Sequence, residues 1–271
     1  MDFSGKCVVV TGSSSGIGKA TALLFAKRGA NVLLHGRNQE RLQEALEECK
    51  RIGKQDAKFP YVLGDVANDE VLEKILAAVN EQFERLDVLV NNAGIGIADE
   101  LQNGNIKNLD SQINLLLKAP IHLSQMCLPL LEKFKGNIVS VSSISSSHPA
   151  PAAPYYSIAK AGLDMFTKCA ALEFGQKGVR VNSINPGYVR TNILKSSGMA
   201  STDTEVDQIA NAFASMNPLK KTGTAEECAN MIVYLASNDA SMMNGHCLVH
   251  DGGRSLTCLD TKVLQRTAQA Q

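Results

Sequence analysis

The chain has 271 residues with 27 Lys plus Arg against 27 Asp plus Glu, so no net field draws it to nucleic acid or anionic membranes. Its seven cysteines are scattered without a C-x-x-C pair, which reads as reduced thiols in an intracellular, cytoplasmic protein; none reads as a nucleophile or a metal ligand. The amino end does not read as a signal peptide, no segment reads as long enough to span a bilayer, and the final Ala-Gln is no peroxisomal address.

Short apolar runs near 7–11, 31–35, 60–64, 87–91, 137–142, 179–184 and 246–250 alternate with helical patterns. The alternation predicts an α/β fold, a Rossmann-type doubly wound sheet of about seven parallel strands with helices on both faces. No linker, charge block or repeat divides it, so 1–255 is expected to form one domain with 256–271 as a tail.

The first strand, Cys7-Val8-Val9-Val10-Thr11, runs into Gly12-Ser13-Ser14-Ser15-Gly16-Ile17-Gly18 and then a helical pattern. Such a turn suits a phosphate, because glycines admit close backbone approach and free helix amides attract anions. The same residues also fit G-x-S-x-G, a hydrolase elbow with Ser14 as nucleophile. That reading lacks an earlier strand to supply an oxyanion amide, and none of His35, His122, His148, His246 and His250 is a compelling partner.

Further along, Tyr156-Ser157-Ile158-Ala159-Lys160 places a phenol and an ammonium four apart, on one helix face. A lysine there can pull down a tyrosine pKa that would otherwise sit near ~10. Alone, Tyr-x-x-x-Lys is a weak signal. Tyr155 is adjacent, but only Tyr156 has a lysine at the fourth position after it.

With Gly12, Gly16, Gly18, Tyr156 and Lys160 together, the chain resembles the short-chain dehydrogenase/reductase family over about 4–255. The resemblance includes Asn91-Asn92-Ala93-Gly94, Ser142-Ser143, Asn185-Pro186-Gly187 and Asp251-Gly252-Gly253, each after a strand; Ala159 stands where the family often has serine. It implies a catalytic set of Asn114, Ser143, Tyr156 and Lys160, with no metal, and a single dinucleotide-binding and catalytic domain over 1–255. It implies cofactor contacts from Gly12, Ser14, Ser15, Gly16, Ile17 and Gly18, from Asp65 and Val66, and from Asn92, Ala93 and Gly94. Tyr156, Lys160, Pro186, Gly187, Val189 and Thr191 would meet the nicotinamide end.

Cofactor choice is read at the end of the second strand. Dinucleotide folds that bind NAD(H) carry an acid there, but this chain has Gly36, followed by Arg37 and Asn38. A carboxylate would repel a 2′-phosphate and an arginine fork would bind it, so NADP(H) is expected.

The expected activity is hydride transfer between NADP(H) and a carbonyl or secondary alcohol, as a ketone reductase. Alternatives are an NAD-dependent alcohol dehydrogenase of the same family and a non-catalytic nicotinamide-binding redox sensor. Residues 188–218 are expected to cover the substrate as a lid, with Ile193, Leu194, Met199, Phe213 and Met216 either as an apolar wall or as the lid's own packing, and Lys195 as the nearby cation. The family resemblance also implies a homotetramer or homodimer, built on the helical patterns 109–134 and 155–174.

Overall fold

The computed structural model describes residues 1–191, 194 and 198–257. Seven strands form one parallel sheet in the order β3-β2-β1-β4-β5-β6-β7: β1 Cys7–Val10, β2 Asn31–Gly36, β3 Tyr61–Leu63, β4 Val88–Asn91, β5 Asn137–Val141, β6 Arg180–Pro186 and β7 Cys247–His250. Each strand overlaps its expected run within two residues. The runs of β1, β2 and β4 stand out because strands covered on both faces stay largely apolar.

Alternation sends successive side chains to opposite faces. On one face Val8, Val10, Val32, Leu34, Val88 and Val139 pack against Phe25 of α1 (Gly16–Lys27), Leu42 of α2 (Gln39–Ile52) and Ile232 of a later helix. On the other, Val9, Leu33, Leu89, Ile138 and Val181 meet Ile75 of α3 (Asp69–Gln82), Leu116, Leu123 and Phe174. The order in which strands are added reverses between β1 and β4, and in such sheets the crevice at the carboxyl ends of the strands there is where ligands bind.

The pattern 109–134 is a continuous helical rod, but not a uniform one. α4 (Ile106–Ile113) passes through a π-helical turn, Asn114–Lys118, into α5 (Ala119–Phe134). Pro120 explains the widening: it has no N–H to give a preceding carbonyl, and its ring needs room there. α6 (Pro154–Gly175) follows as one uninterrupted helix. Two capping boxes, Thr202 with Glu205 and Thr224 with Glu227, start α7 (Asp203–Met216) and α8 (Ala225–Ala236).

Within 188–218, Tyr188 and Phe213 stack at 4.6 Å, and Arg190 pairs with Asp207. Leu194 is buried against Ala200 and Val206, so it and Phe213 pack the segment itself, while Met199 and Met216 are exposed. Ile193 and Lys195, and the tail from 258 onward, lie outside the described residues.

Candidate active site

The glycine turn after β1 is built by its neighbours. Thr11 Oγ1 accepts from the Asn92 and Ala93 amides at 3.0 and 3.1 Å, and Asn92 Nδ2 donates to Thr11 O at 2.8 Å and Gly12 O at 3.1 Å. A Cβ on Gly18 would stand 2.2 Å from Gly12 O, so Gly18 serves the packing of α1 on the turn. Gly16 has φ 54°, and a Cβ there would meet Thr191 Cγ2 at 3.1 Å. Ser15 makes no side-chain cap, so the amides it precedes keep their donors for another acceptor. Ser14 borders Gly36, and Ile17 packs on the core with part of its surface open.

Sequence reasoning passed over His35. Its Nδ1 accepts from Gly12 N at 3.2 Å and its Nε2 lies 3.1 Å from Gly64 O, which fixes the neutral Nε2–H tautomer. Its backbone N–H donates to Ser13 Oγ at 2.9 Å and its carbonyl accepts from Ser13 N at 2.8 Å. Burial lowers its pKa to about 4, so it stays uncharged at neutral pH. A histidine in an otherwise apolar strand was the available signal. With both nitrogens committed, His35 does not serve Ser14, and among the described residues no hydrolase triad assembles around that serine.

At the second strand's end, Arg37 Nη1 lies 3.2 Å from Asp65 Oδ2, and both side chains keep solvent contact. Asp65 Oδ1 also accepts from Ala67 N. Asn38 spends its side-chain oxygen on Arg41 N, capping α2, so its side chain is a helix cap first. Val66 is buried in the core. Gly94 stands where a Cβ would strike Leu116 Cδ2 at 2.7 Å.

Across the crevice, Ser143 follows β5, and its Oγ accepts from Ser145 N at 3.1 Å. The Ser143 side chain acts on the Tyr156 phenol, opposing part of the effect of its burial. Lys160 is buried, donates to Val141 O at 2.7 Å and stands 5.6 Å from the Tyr156 ring centroid. The three expected side chains are therefore brought together. Asn114 opens the π-helical turn, its carbonyl accepts from Ala119 N, and the residue is exposed. Pro186 ends β6, Gly187 N donates to His250 O, and Val189 is buried beside Gly223. His148 sits in the exposed loop beyond Ser143, its Nδ1 3.0 Å from Ser147 Oγ.

One expectation is corrected here. The Tyr156 pKa is raised rather than lowered: burial raises it, and the Ser143 side chain opposes that rise. The reason is desolvation of the phenol; the neighbouring ammonium donates to the Val141 carbonyl, and burial lowers its own pKa to about 8. The phenol is protonated at neutral pH.

The family described as Enoyl-(Acyl carrier protein) reductase matches residues 12–255. The chain is 35% identical over 255 residues to 3-oxoacyl-[acyl-carrier-protein] reductase FabG of Thermotoga maritima, covering 93% of this chain and 99% of that protein. A cofactor-bound structure of a short-chain dehydrogenase/reductase of unknown function from Caenorhabditis elegans superposes with TM-score 0.90 at 37% identity, covering 95% and 97% of the two chains. L-sorbose reductase from Gluconobacter frateurii, complexed with NADPH and L-sorbose, gives 0.88 at 33% identity over 95% and 99%.

The His35 linkage has a measurable sign. The folded state holds the imidazole neutral, with a pKa of about 4 against 6.5. Its contribution is full above 6.5 and is lost as pH falls toward 4. Urea unfolding of His35→Leu should show a loss of about 1–3 kcal/mol at neutral pH, from Gly12 N and Gly64 O left unpaired. The variant's stability should also fall less steeply through that acid window, and parallel pH curves for variant and wild type would refute the assignment.

Proposed function

Because the chain belongs to the short-chain dehydrogenase/reductase family, whose members are oxidoreductases that use a nicotinamide cofactor, we propose that it reduces a ketone with NADPH. The observation that carries the proposal is the buried Lys160, 5.6 Å from the Tyr156 ring, with Ser143 acting on the same phenol at the carboxyl edge of the sheet. The crevice fits the cofactor. Uncapped amides open α1, Gly16 leaves its turn without a side chain, and Arg37 stands at the end of β2 with no acid at Gly36. Bound NADPH supplies the hydride.

The chain's own residues do the rest. Gly12, Ser14, Ser15, Gly16, Ile17 and Gly18 would cradle the pyrophosphate, with Thr191 across from Gly16. Asp65, Val66, Asn92, Ala93 and Gly94 would line the adenosine half, and Pro186, Gly187 and Val189 the nicotinamide half. Ser143 and Tyr156 would donate hydrogen bonds to the substrate carbonyl oxygen, which draws electrons from its carbon. Tyr156 then gives its proton to that oxygen as general acid. The raised pKa supports this role, because it keeps the phenol protonated. Lys160 would hold the nicotinamide ribose, and Asn114 would hold a water that returns a proton to Tyr156. Tyr156→Phe should lower NADPH-dependent turnover by at least ~10²-fold with little change in NADPH affinity. Near-normal turnover in that variant, with loss in Tyr155→Phe, would assign the acid to the other tyrosine.

Arg37 carries the choice of cofactor. Its ion pair with Asp65 is solvent-exposed and so worth about 0–1 kcal/mol, which leaves the guanidinium free to turn to a 2′-phosphate. The NADPH complex of the L-sorbose reductase supports the same reading. The second reading, an NAD-dependent alcohol dehydrogenase, draws on the Asp65 carboxylate that already neutralises Arg37. Arg37→Ala separates them: fluorescence titration should show NADPH binding weakened far more than NADH binding, and equal losses would favour NAD(H).

We place the single catalytic domain at 1–255, and the subunit contact on α6. Ile158, Met165 and Leu172 are 48%, 58% and 77% exposed, and their seven-residue spacing lines them on one face. That face fits a homodimer or homotetramer; light scattering that gave a monomer at micromolar concentration would reject it. Among the described residues no helix is long and apolar enough to cross a membrane, and six cysteines are free thiols, which fits a cytoplasmic protein.

A further inference from the structure

A polar cluster lies under the reacting groups, and the glycine turn does not require it. Asp164 stands one turn beyond Lys160 on α6, so the two side chains share a helix face. Its Oδ2 accepts from Asn185 Nδ2 at 2.6 Å and its Oδ1 from Ser183 Oγ at 3.4 Å. The same Asn185 amide reaches Ser143 O at 3.2 Å and Ser146 Oγ at 3.0 Å, while its Oδ1 accepts from Ser183 Oγ at 3.0 Å. Asn185 is 2% exposed and Ser183 is fully buried. A buried amide has few orientations that satisfy every partner, and a short charge-assisted bond selects one of them. The carboxylate thus orients the amide, and the amide holds the carbonyl of the residue that carries the Ser143 hydroxyl.

The same carboxylate, at the fourth position after Lys160 on α6, acts on the buried ammonium through the intervening turn, without direct ion pairing. Burial lowers the Lys160 pKa to about 8, and Asp164 acts in the opposite direction. The other groups around Lys160 are neutral: the Tyr156 phenol on its own helix, the Val141 carbonyl of β5 and the Ser142 hydroxyl, which donates to the Lys160 carbonyl. Among the described residues, Asp164 is the ionised group that acts on this lysine.

We propose that Asp164 is a positioning residue for the reaction: through Asn185 it fixes the turn bearing Ser143, and across one helical turn it balances the charge of Lys160. The proposal rests on the reductase reading only for what Ser143 and Lys160 then do.

The test uses the full chain without cofactor. Melting temperatures of wild type, Asp164→Asn, Lys160→Met and the double variant are compared near pH 6 and near pH 10. Removing the counter-charge lowers the folded-state pKa of Lys160 further. The penalty is therefore full where the folded lysine would be charged, and vanishes where it is neutral in both proteins. Asp164→Asn should melt several degrees below wild type near pH 6 and much closer to it near pH 10. In the Lys160→Met background that pH dependence should disappear. An Asp164→Asn deficit of equal size at both pH values, or one unchanged by Lys160→Met, overturns the charge balance.

A second arm reads NADPH oxidation with ethyl acetoacetate as the ketone. Asp164→Ala should cut kcat roughly tenfold with the KM for NADPH nearly unchanged, and Asp164→Asn, which can still accept from Asn185, should restore part of it. An unchanged kcat, or an equal loss from Asp164→Asn and Asp164→Ala, overturns the positioning of Ser143. A wild-type protein that neither binds NADPH nor turns over ketones overturns the reductase reading instead, and the melting comparison still decides the role of Asp164.

Discussion

The close approach of α1 to the turn after β1 sets the geometry of the whole crevice. Hydrogen takes the place of a side chain at Gly18 because a Cβ would stand 2.2 Å from Gly12 O and 2.3 Å from Asn92 Nδ2. That proximity lets Asn92 reach both Thr11 O and Gly12 O, tying the β1 turn to the end of β4. His35 secures the other side by bridging Gly12 N and Gly64 O across three strands. The first amides of α1 are thereby held at the reversal of strand order, pointing into the crevice rather than over it. A looser packing of α1 would blur that position, however favourable the glycines were for the turn alone.

The central strands β1, β2 and β4 were legible because both sheet faces cover them, which keeps their runs largely apolar. Ser143 was separable from Ser142, Ser145, Ser146 and Ser147 only through its family spacing to Tyr156, since all five serines lie in one short stretch. The groups that hold the site were harder to see. Thr11, His35, Asp164 and Asn185 act through partners distant in sequence, and a hydroxyl or amide shows no periodicity that betrays a tertiary hydrogen bond. The π-helical turn at Asn114–Lys118 was hidden for a similar reason: its apolar residues continue the helical pattern while its hydrogen bonds change. Gly36 carried two meanings. The missing acid was visible in sequence, but its place against Ser14, 2.9 Å from where a Cβ would sit, appears only when β2 lies beside the turn.

The segment 188–218 shows the same ambiguity from the side of packing. Phe213 stacks on Tyr188 at 4.6 Å, and Leu194 is buried with Ala200 and Val206, so two of the side chains expected near substrate close the segment on itself. Met199 and Met216 remain exposed and keep the flexible, polarizable surface that suits contact with varied apolar groups. Apolar composition alone therefore does not say which of its residues face outward and which pack the segment itself.

Burial acts on Tyr156 and Lys160 in opposite formal directions, yet toward the same end, because it disfavours charge on either. A protonated phenol is the form a general acid needs, so the desolvation of the site agrees with the proton-donating role proposed for Tyr156. Running the reaction backward would need a phenolate, which requires positive charge close by to offset the same burial. Lys160 can offer that charge only while it stays protonated, and its pKa of about 8 places that condition close to neutral pH. Its nearest helical counter-charge, Asp164, sits on the far side of the ammonium from the tyrosine in sequence, at the fourth position after Lys160, with Tyr156 at the fourth position before it. The row Tyr156, Lys160, Asp164 thus forms one electrostatic line along α6. In that line Asp164 opposes the burial that lowers the Lys160 pKa, and burial keeps the phenol in its acid form.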